Sequence, residues 1–191
     1  MAAAMAEWAM AMTIWTIGHS TRGIEEFIAL LRMYRIAQVI DIRLIPFSRR
    51  YPHFHTEALA AALRDGGMTY DHLALLGGRR KALPQSVNAG WRNAGFRGYA
   101  DYMQSPAFET GMDRLTTLAM TAPSTIMCAE AVPWRCHRSL VSDALVSRAW
   151  DVIHILTASR ADRHSLTAFA RIDGERITYP APSSDSPPRL F

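Results

Sequence analysis

Only two cysteines, Cys128 and Cys136, occur in 191 residues. That is too few for the disulfide framework of a small secreted protein and suits a reducing compartment, so a cytoplasmic location is expected. A single bridge between the two stays open as an alternative. No apolar run is long enough to span a bilayer. The opening MAAAMAEWAMAM lacks a basic n-region, carries Glu7 and is far too short for a span, so it reads as an N-terminal extension and no membrane association is expected. A phosphate-loop motif and a dinucleotide fingerprint are also missing, which leaves ordinary nucleoside-triphosphate or nicotinamide binding without support.

Acidic residues are missing from two long stretches. Residues 43–56 carry Arg43, Arg49, Arg50, His53 and His55 beside Tyr51 and Phe54, and residues 72–100 carry Arg79, Arg80, Lys81, Arg92 and Arg97 beside Trp91, Phe96 and Tyr99. Basic residues interleaved with aromatics suit phosphate contact with base stacking. A solvated surface balanced by acidic helices is the plainer reading of the same pattern. The formal charge of +4 allows an anionic partner without demanding one, while 49% hydrophobic and 20% charged residues form an ordinary globular composition with enough apolar mass for a core.

The chain alternates β-prone runs with helical periodicity. Ile14 to Ile17 is a short strand ending at Gly18-His19-Ser20-Thr21, and Ile24, Phe27, Ile28, Leu31 and Tyr34 mark one buried helix face. Gln38 to Ile45 reads as a second strand stopped by Pro46. Thr56 is expected to cap a helix through Leu59, Ala62 and Leu63 that ends at Gly66-Gly67, and a third strand is expected at His72 to Leu76. Gly77, Gly78, Gly90, Gly95 and Gly98 then punctuate a long loop of the kind that serves as a lid. Ser105-Pro106 starts a helix to about Met120, Ser124 to Ala129 is a strand, Ser139 to Trp150 a helix, and Asp151 to Leu156 another strand. Asp173-Gly174 suits a hairpin turn between residues 168–172 and 176–179, and the Pro/Ser-rich end is expected to be a flexible tail.

This alternation predicts a Rossmann-like α/β fold: a largely parallel sheet with helices on both faces, plus a C-terminal hairpin that extends it. The expected organisation is an extension at 1–12, one domain at 13–180 and a tail at 181–191. Ligands of such sheets bind beyond the carboxyl ends of the strands, where His19 and Ser20, Asp41 and Arg43, and Cys128 and Glu130 fall. Cys136-His137-Arg138 falls at a helix start, where backbone amides favour an anion and lower a thiol pKa. A packed Cys136 and an Arg138 paired with Asp41 or Glu130 would be the purely structural outcome.

In this order, TIGHS, DIRLIPFSRRYPHF, LGGRR, GFRGYADYM and CAEAVPWRCHRSLVSDAL resemble the domain of unknown function 488 family over roughly residues 16–155. The resemblance implies an α/β domain with a shared site that includes His19, Ser20, Asp41, Arg43, Ser48, Arg49, Cys128, Glu130, Cys136, His137 and Arg138. It implies no settled reaction.

The leading functional expectation is an enzyme acting on a phosphate-bearing ligand, with a nucleotide or nucleic acid as partner. His19, Asp41, Cys128, Glu130 and Cys136 would be its catalytic groups. Ser20, Arg43, Ser48, Arg49, Gly77, Gly78, Tyr99, His137 and Arg138 would bind the ligand. A cysteine-phosphatase loop is disfavoured, because Trp134 stands where that loop needs its arginine and Arg135 comes one residue later. One alternative is non-catalytic nucleic-acid binding through the two basic stretches. Another is a metal site of Cys128, Cys136 and His137 completed by Asp41, Glu130 or His19; against it, adjacent residues 136 and 137 would point apart on a regular helix. The residues identify no cofactor. His154 reads as a satisfied structural histidine on a strand, and His164 as a surface-loop residue with no evident partner.

Overall fold

A computed structural model of the chain describes residues 12–181. The expected terminal extension and tail lie outside these residues except for Met12 and Ala181. No described helix is long and apolar enough to cross a membrane.

In chain order, the strands are β1 (Thr13–Gly18), β2 (Gln38–Asp41), β3 (Thr69–His72), β4 (Ser124–Cys128), β5 (Asp151–Thr157), β6 (Arg160–Arg163), β7 (Arg171–Asp173) and β8 (Arg176–Thr178). The helices are α1 (Ile24–Met33), α2 (Thr56–Asp65), α3 (Ala94–Tyr102), α4 (Pro106–Ala119) and α5 (Arg138–Ser147). Six strands form one sheet in the order β3-β2-β4-β1-β5-β6. Every pairing in it is parallel except that of β6 with β5.

Successive strand residues face opposite sides of a sheet, and the core divides accordingly. Ile14, Ile40, Ile126 and Val152 join Tyr99, Phe108, Met112 and Leu140 on one side. Ile17, Val39, Met127 and Ile155 join Phe27, Leu31, Leu59 and Leu63 on the other. Helices α3, α4 and α5 therefore cover one face, and α1 and α2 the other. The Ser105 hydroxyl caps α4 by accepting from the Phe108 amide, with Pro106 at the first helical position. Residues Arg138 to Leu145 are all buried, which marks α5 as the central helix.

Several elements differ from the sequence-based expectation. Strand β2 stops at Asp41 instead of Ile45, because the Asp41 carboxylate accepts the Arg43 amide at 3.0 Å and turns the chain out of the sheet. Strand β3 lies at Thr69–His72; residues 74–76, expected within it, form a 3-10 turn instead. Thr56 is the first residue of α2, whose flanking His55 makes no side-chain cap. Gly67 does supply the left-handed stop, at φ +80°.

The long loop is partly helix, since Asn93 caps α3 by accepting from the Gly95 and Phe96 amides. Its remainder is tied down. The Asp101 carboxylate accepts from the Leu83 amide, the Ser86 hydroxyl and the Asn88 side-chain amide. The backbone of residues 80–82 lies where a Gly98 side chain would stand. Residues 160–163, near the expected surface loop, form the antiparallel edge strand β6. The hairpin β7-β8 turns at Gly174, φ +58°, as expected, but it is a separate two-stranded sheet and does not extend the large one.

Candidate functional site

Strands β1, β2 and β4 are neighbours, and their register sets Gly18 beside Cys128 and Asp41 beside Met127. The chain leaves all three at the same edge. Beyond that edge opens a cleft of about 750 Å³, within the range of roughly 300–1,000 Å³ typical of small-molecule sites. Its wall includes His19, Ser20, Arg43, Ser48, Gly78 and Tyr99, together with Cys128, Glu130, Cys136 and His137. Both acid-free stretches reach it, one through Phe47, Ser48 and Tyr51, the other through Gly78, Arg79 and Phe96. Arg49, Gly77, Asp41 and Arg138 are not among the lining residues.

Three donors converge on the wall. The sulfurs of Cys128 and Cys136 lie 3.9 and 3.8 Å from His137 Nδ1, and all three atoms lie within 4.8 Å of one another. His137 Nε2 is 3.2 Å from the Ile42 carbonyl. A carbonyl only accepts, so Nε2 carries a hydrogen, and Nδ1 faces both thiols. The expectation that residues 136 and 137 point apart is corrected. Neither lies within α5: Cys136 is extended, with φ −134° and ψ 145°, after a 3-10 turn at Pro133–Arg135, and His137 is the residue flanking the helix. Gly78 leaves the imidazole its room, because a side-chain carbon there would lie 2.9 Å from His137 Nδ1.

The two thiols are electrostatically unequal. A hydrogen bond from Cys128 holds the Cys136 thiol well below its usual range against the effect of burial, helped by His137 and Arg138. The same bond, together with burial, pushes Cys128 well up. The Arg138 amide also approaches the Cys136 sulfur at 3.5 Å. Of the two, Cys136 is the thiol set toward its anionic form, with Cys128 as the donor.

A second set of bonds fixes the neighbouring wall. Fully buried Asp41 pairs with Arg43, at 2.6 Å from its terminal nitrogen, and accepts from the Tyr70 hydroxyl at 2.8 Å. Arg43 also donates to the Phe54 carbonyl. Its other terminal nitrogen lies 3.4 Å from His19 Nε2. His19 Nδ1 is 3.0 Å from the Ser20 carbonyl and so carries the hydrogen. Burial, then the Arg43 charge, lowers the His19 pKa to about 4, so the ring is neutral and stacks on Phe54 at 4.1 Å.

Other sequence-selected residues shape the frame. Arg138, only 1% exposed, donates to the Glu130 carbonyl at 2.8 Å and holds the loop between β4 and α5. Gly18 is required where that same carbonyl crosses it. Gly77 packs against Leu44, with only 2.6 Å from its side-chain position to the Leu44 α-carbon. The Tyr99 hydroxyl donates to the Leu76 carbonyl, and its ring lies 4.9 Å from that of His137. Ser48 accepts from the Tyr51 amide. Arg49 and Glu130 are exposed. Sequence reasoning did not select Phe47, Tyr70 or Asn93. No local motif marks Tyr70; it meets Asp41 only because β3 pairs with β2.

Among the described residues, Cys128, Cys136 and His137 are the group whose donors stand close enough for a metal. Asp41, expected as a completing ligand, is engaged by Arg43 and Tyr70.

A family model described as "Domain of unknown function DUF488" matches residues 23–145. The match spans α1 to most of α5 and leaves β1, with His19 and Ser20, outside it. No curated protein and no solved structure matches the chain.

Proposed function

The chain belongs to the DUF488 family, whose description assigns no reaction, and from the chemistry of its cleft we propose that it is a thiol-dependent enzyme acting on a phosphate-bearing ligand of nucleotide size. The carrying observation is the Cys136 sulfur in the wall of the cleft, 3.8 Å from His137 Nδ1 and with the Cys128 sulfur beside it. Arg79 and Arg135 supply positive charge to the lining, while Phe47, Tyr51 and Phe96 supply ring surfaces. That combination fits an anion joined to a planar base. The Cys136 sulfur is placed as the nucleophile, and His137 Nδ1 is placed to exchange a proton with it. Arg138 and Gly18 are positioning residues: they fix the loop and do not touch the ligand.

A metal-binding reading rests on the same three donors, which match the ligand types of zinc. Binding of nucleic acid without turnover would rest on the charges outside the cleft, Arg49, Arg50, Arg92 and Arg97.

One experiment separates these readings: mass-spectrometric quantification of Cys136 alkylation in protein purified without an affinity tag, with and without adenosine monophosphate, alongside elemental analysis. Faster labelling of Cys136 than Cys128, slowed by the nucleotide in metal-free protein, supports the enzyme. A stoichiometric metal lost in Cys136→Ser selects the metal site. Equal, unprotected labelling, with only salt-sensitive binding of an oligonucleotide, selects the binding-only role.

A further inference from the structure

Cys128 and Cys136 stand in the wall of one cleft and are the only cysteines of the chain. Both are free, and their sulfurs lie, with His137 Nδ1, within 4.8 Å of one another. The segment that joins them is short: a loop from Ala129 to Val132, then the 3-10 turn Pro133–Arg135. Two thiols placed in this way can be oxidised to a common disulfide.

A disulfide sets its sulfurs about 2.05 Å apart and its β-carbons about 3.5–4.5 Å apart, so one of the two residues has to yield. Cys128 is the last residue of β4. It is held in register beside Gly18 of β1, and its carbonyl accepts the His19 amide at 2.9 Å. Cys136 belongs to no strand or helix ladder, because it is extended between the 3-10 turn and α5. Closure therefore takes rotation of the Cys136 side chain with a local backbone adjustment, and leaves the sheet intact. The cleft also selects the oxidant. The two residues keep only small exposed areas, 7% for Cys128 and 3% for Cys136, so a molecule of nearly water size is the one that fits.

We propose that Cys128 and Cys136 form a dithiol–disulfide couple, a modification site that hydrogen peroxide closes and a small dithiol reopens. Cys136 is taken as the attacking sulfur, an order that rests on its role as nucleophile above. Its S–O bond forms as the peroxide O–O bond breaks, and the thiol proton leaves in the water released. The Cys128 sulfur then attacks the sulfur of the Cys136 sulfenic acid. The S–S bond forms, the S–O bond breaks, and hydroxide leaves with the Cys128 proton as a second water. The two sulfurs together give up two electrons, which the peroxide accepts. The bond shields Cys136 from irreversible oxidation and withdraws its sulfur from any ligand in the cleft, so the couple regulates the site. Closure itself needs no ligand.

Peptide mapping by mass spectrometry tests this on the full chain, purified without an affinity tag and exposed to hydrogen peroxide in the absence of nucleotide. Trypsin cuts after Arg114, Arg135 and Arg138, which puts Cys128 in the peptide Leu115 to Arg135 and Cys136 in the tripeptide Cys136-His137-Arg138. The expected result is a cross-linked pair of these peptides, formed within one chain and lost again on treatment with dithiothreitol. In Cys128→Ser the pair is expected to vanish, and dimedone, which traps sulfenic acid, to label Cys136. The native map stands whether or not that variant folds. The proposal is overturned if both thiols of the native chain stay reduced, if the bond joins two chains, or if native Cys136 passes to the sulfinic acid without a linked pair. Nucleotide protection of Cys136 with no linked pair sinks the couple alone. A linked pair without such protection sinks the ligand reading and leaves the couple standing.

Discussion

His154 and His19 show how individual buried residues carry the chemistry of their surroundings into the stability of the fold. Burial, followed by neighbouring His164 and the Arg138 charge, lowers the His154 pKa from 6.5 to about 3; burial and Arg43 lower that of His19 to about 4. Below pH 6.5 the unfolded chain takes up protons that the folded one refuses. Stability is therefore complete above pH 6.5 and falls as pH drops toward 4, by about 1.4 kcal/mol per unit for each group. Urea unfolding at pH 7 and pH 5.5 should differ by about 2 kcal/mol from these two groups together, and the difference should shrink in His154→Gln. Equal stability at the two pH values would contradict the buried, neutral assignment. At this scale the sequence was informative where chemistry is local. Cys128, Cys136 and His137 stand out by residue type and spacing, whereas Tyr70 and the His164–Asp143 bond, at a histidine with no partner evident in the sequence, depend on strand register and tertiary packing that no local pattern encodes.

Element boundaries follow from side chains that intercept the backbone. Asp41 ends β2 by capturing the Arg43 amide, and that turn brings the Ile42 carbonyl to His137 Nε2. The Val39-to-Ile45 run is apolar enough to read as continuous strand, so its end was not legible. Helix α3 was hidden for a different reason. Its Gly95 and Gly98 weaken helix propensity, yet Gly98 is there because the preceding loop lies directly on the helix. Asp101, buried in that helix, holds three donors of the loop. Asp101→Ala should therefore release residues 83–88, with a stability loss of about 1–3 kcal/mol for each buried donor left without an acceptor. Limited proteolysis should then cut within this segment before the rest of the chain; an unchanged cleavage pattern would argue against the anchoring role. The α4 start was legible because Ser105-Pro106 is a local signal, and the structure bears it out.

At the scale of the whole molecule, alternating strands and helices announced the parallel sheet, since parallel neighbours require crossover helices. The order β3-β2-β4-β1-β5-β6 was not announced, because it is set by which crossovers pack on which face. That order places β1 between β4 and β5. It puts Gly18 beside the thiol loop at one neighbour and Thr16 beside His154 at the other. One central strand thus holds both the thiol loop and the buried His154. The proposed chemistry of the thiol cleft depends on the Cys136 thiol ionising below its usual range, because Cys128, His137 and Arg138 favour its anion. The ultraviolet absorbance of thiolate, followed against pH in the native protein, in Cys136→Ser and in Gly78→Ala, tests this directly. The predicted result is a native thiolate signal persisting well below the free-cysteine pKa of about 8.5, absent in Cys136→Ser and moved toward the free value in Gly78→Ala, where the added carbon displaces His137. A native protein whose thiols both ionise only at or above that value would contradict it.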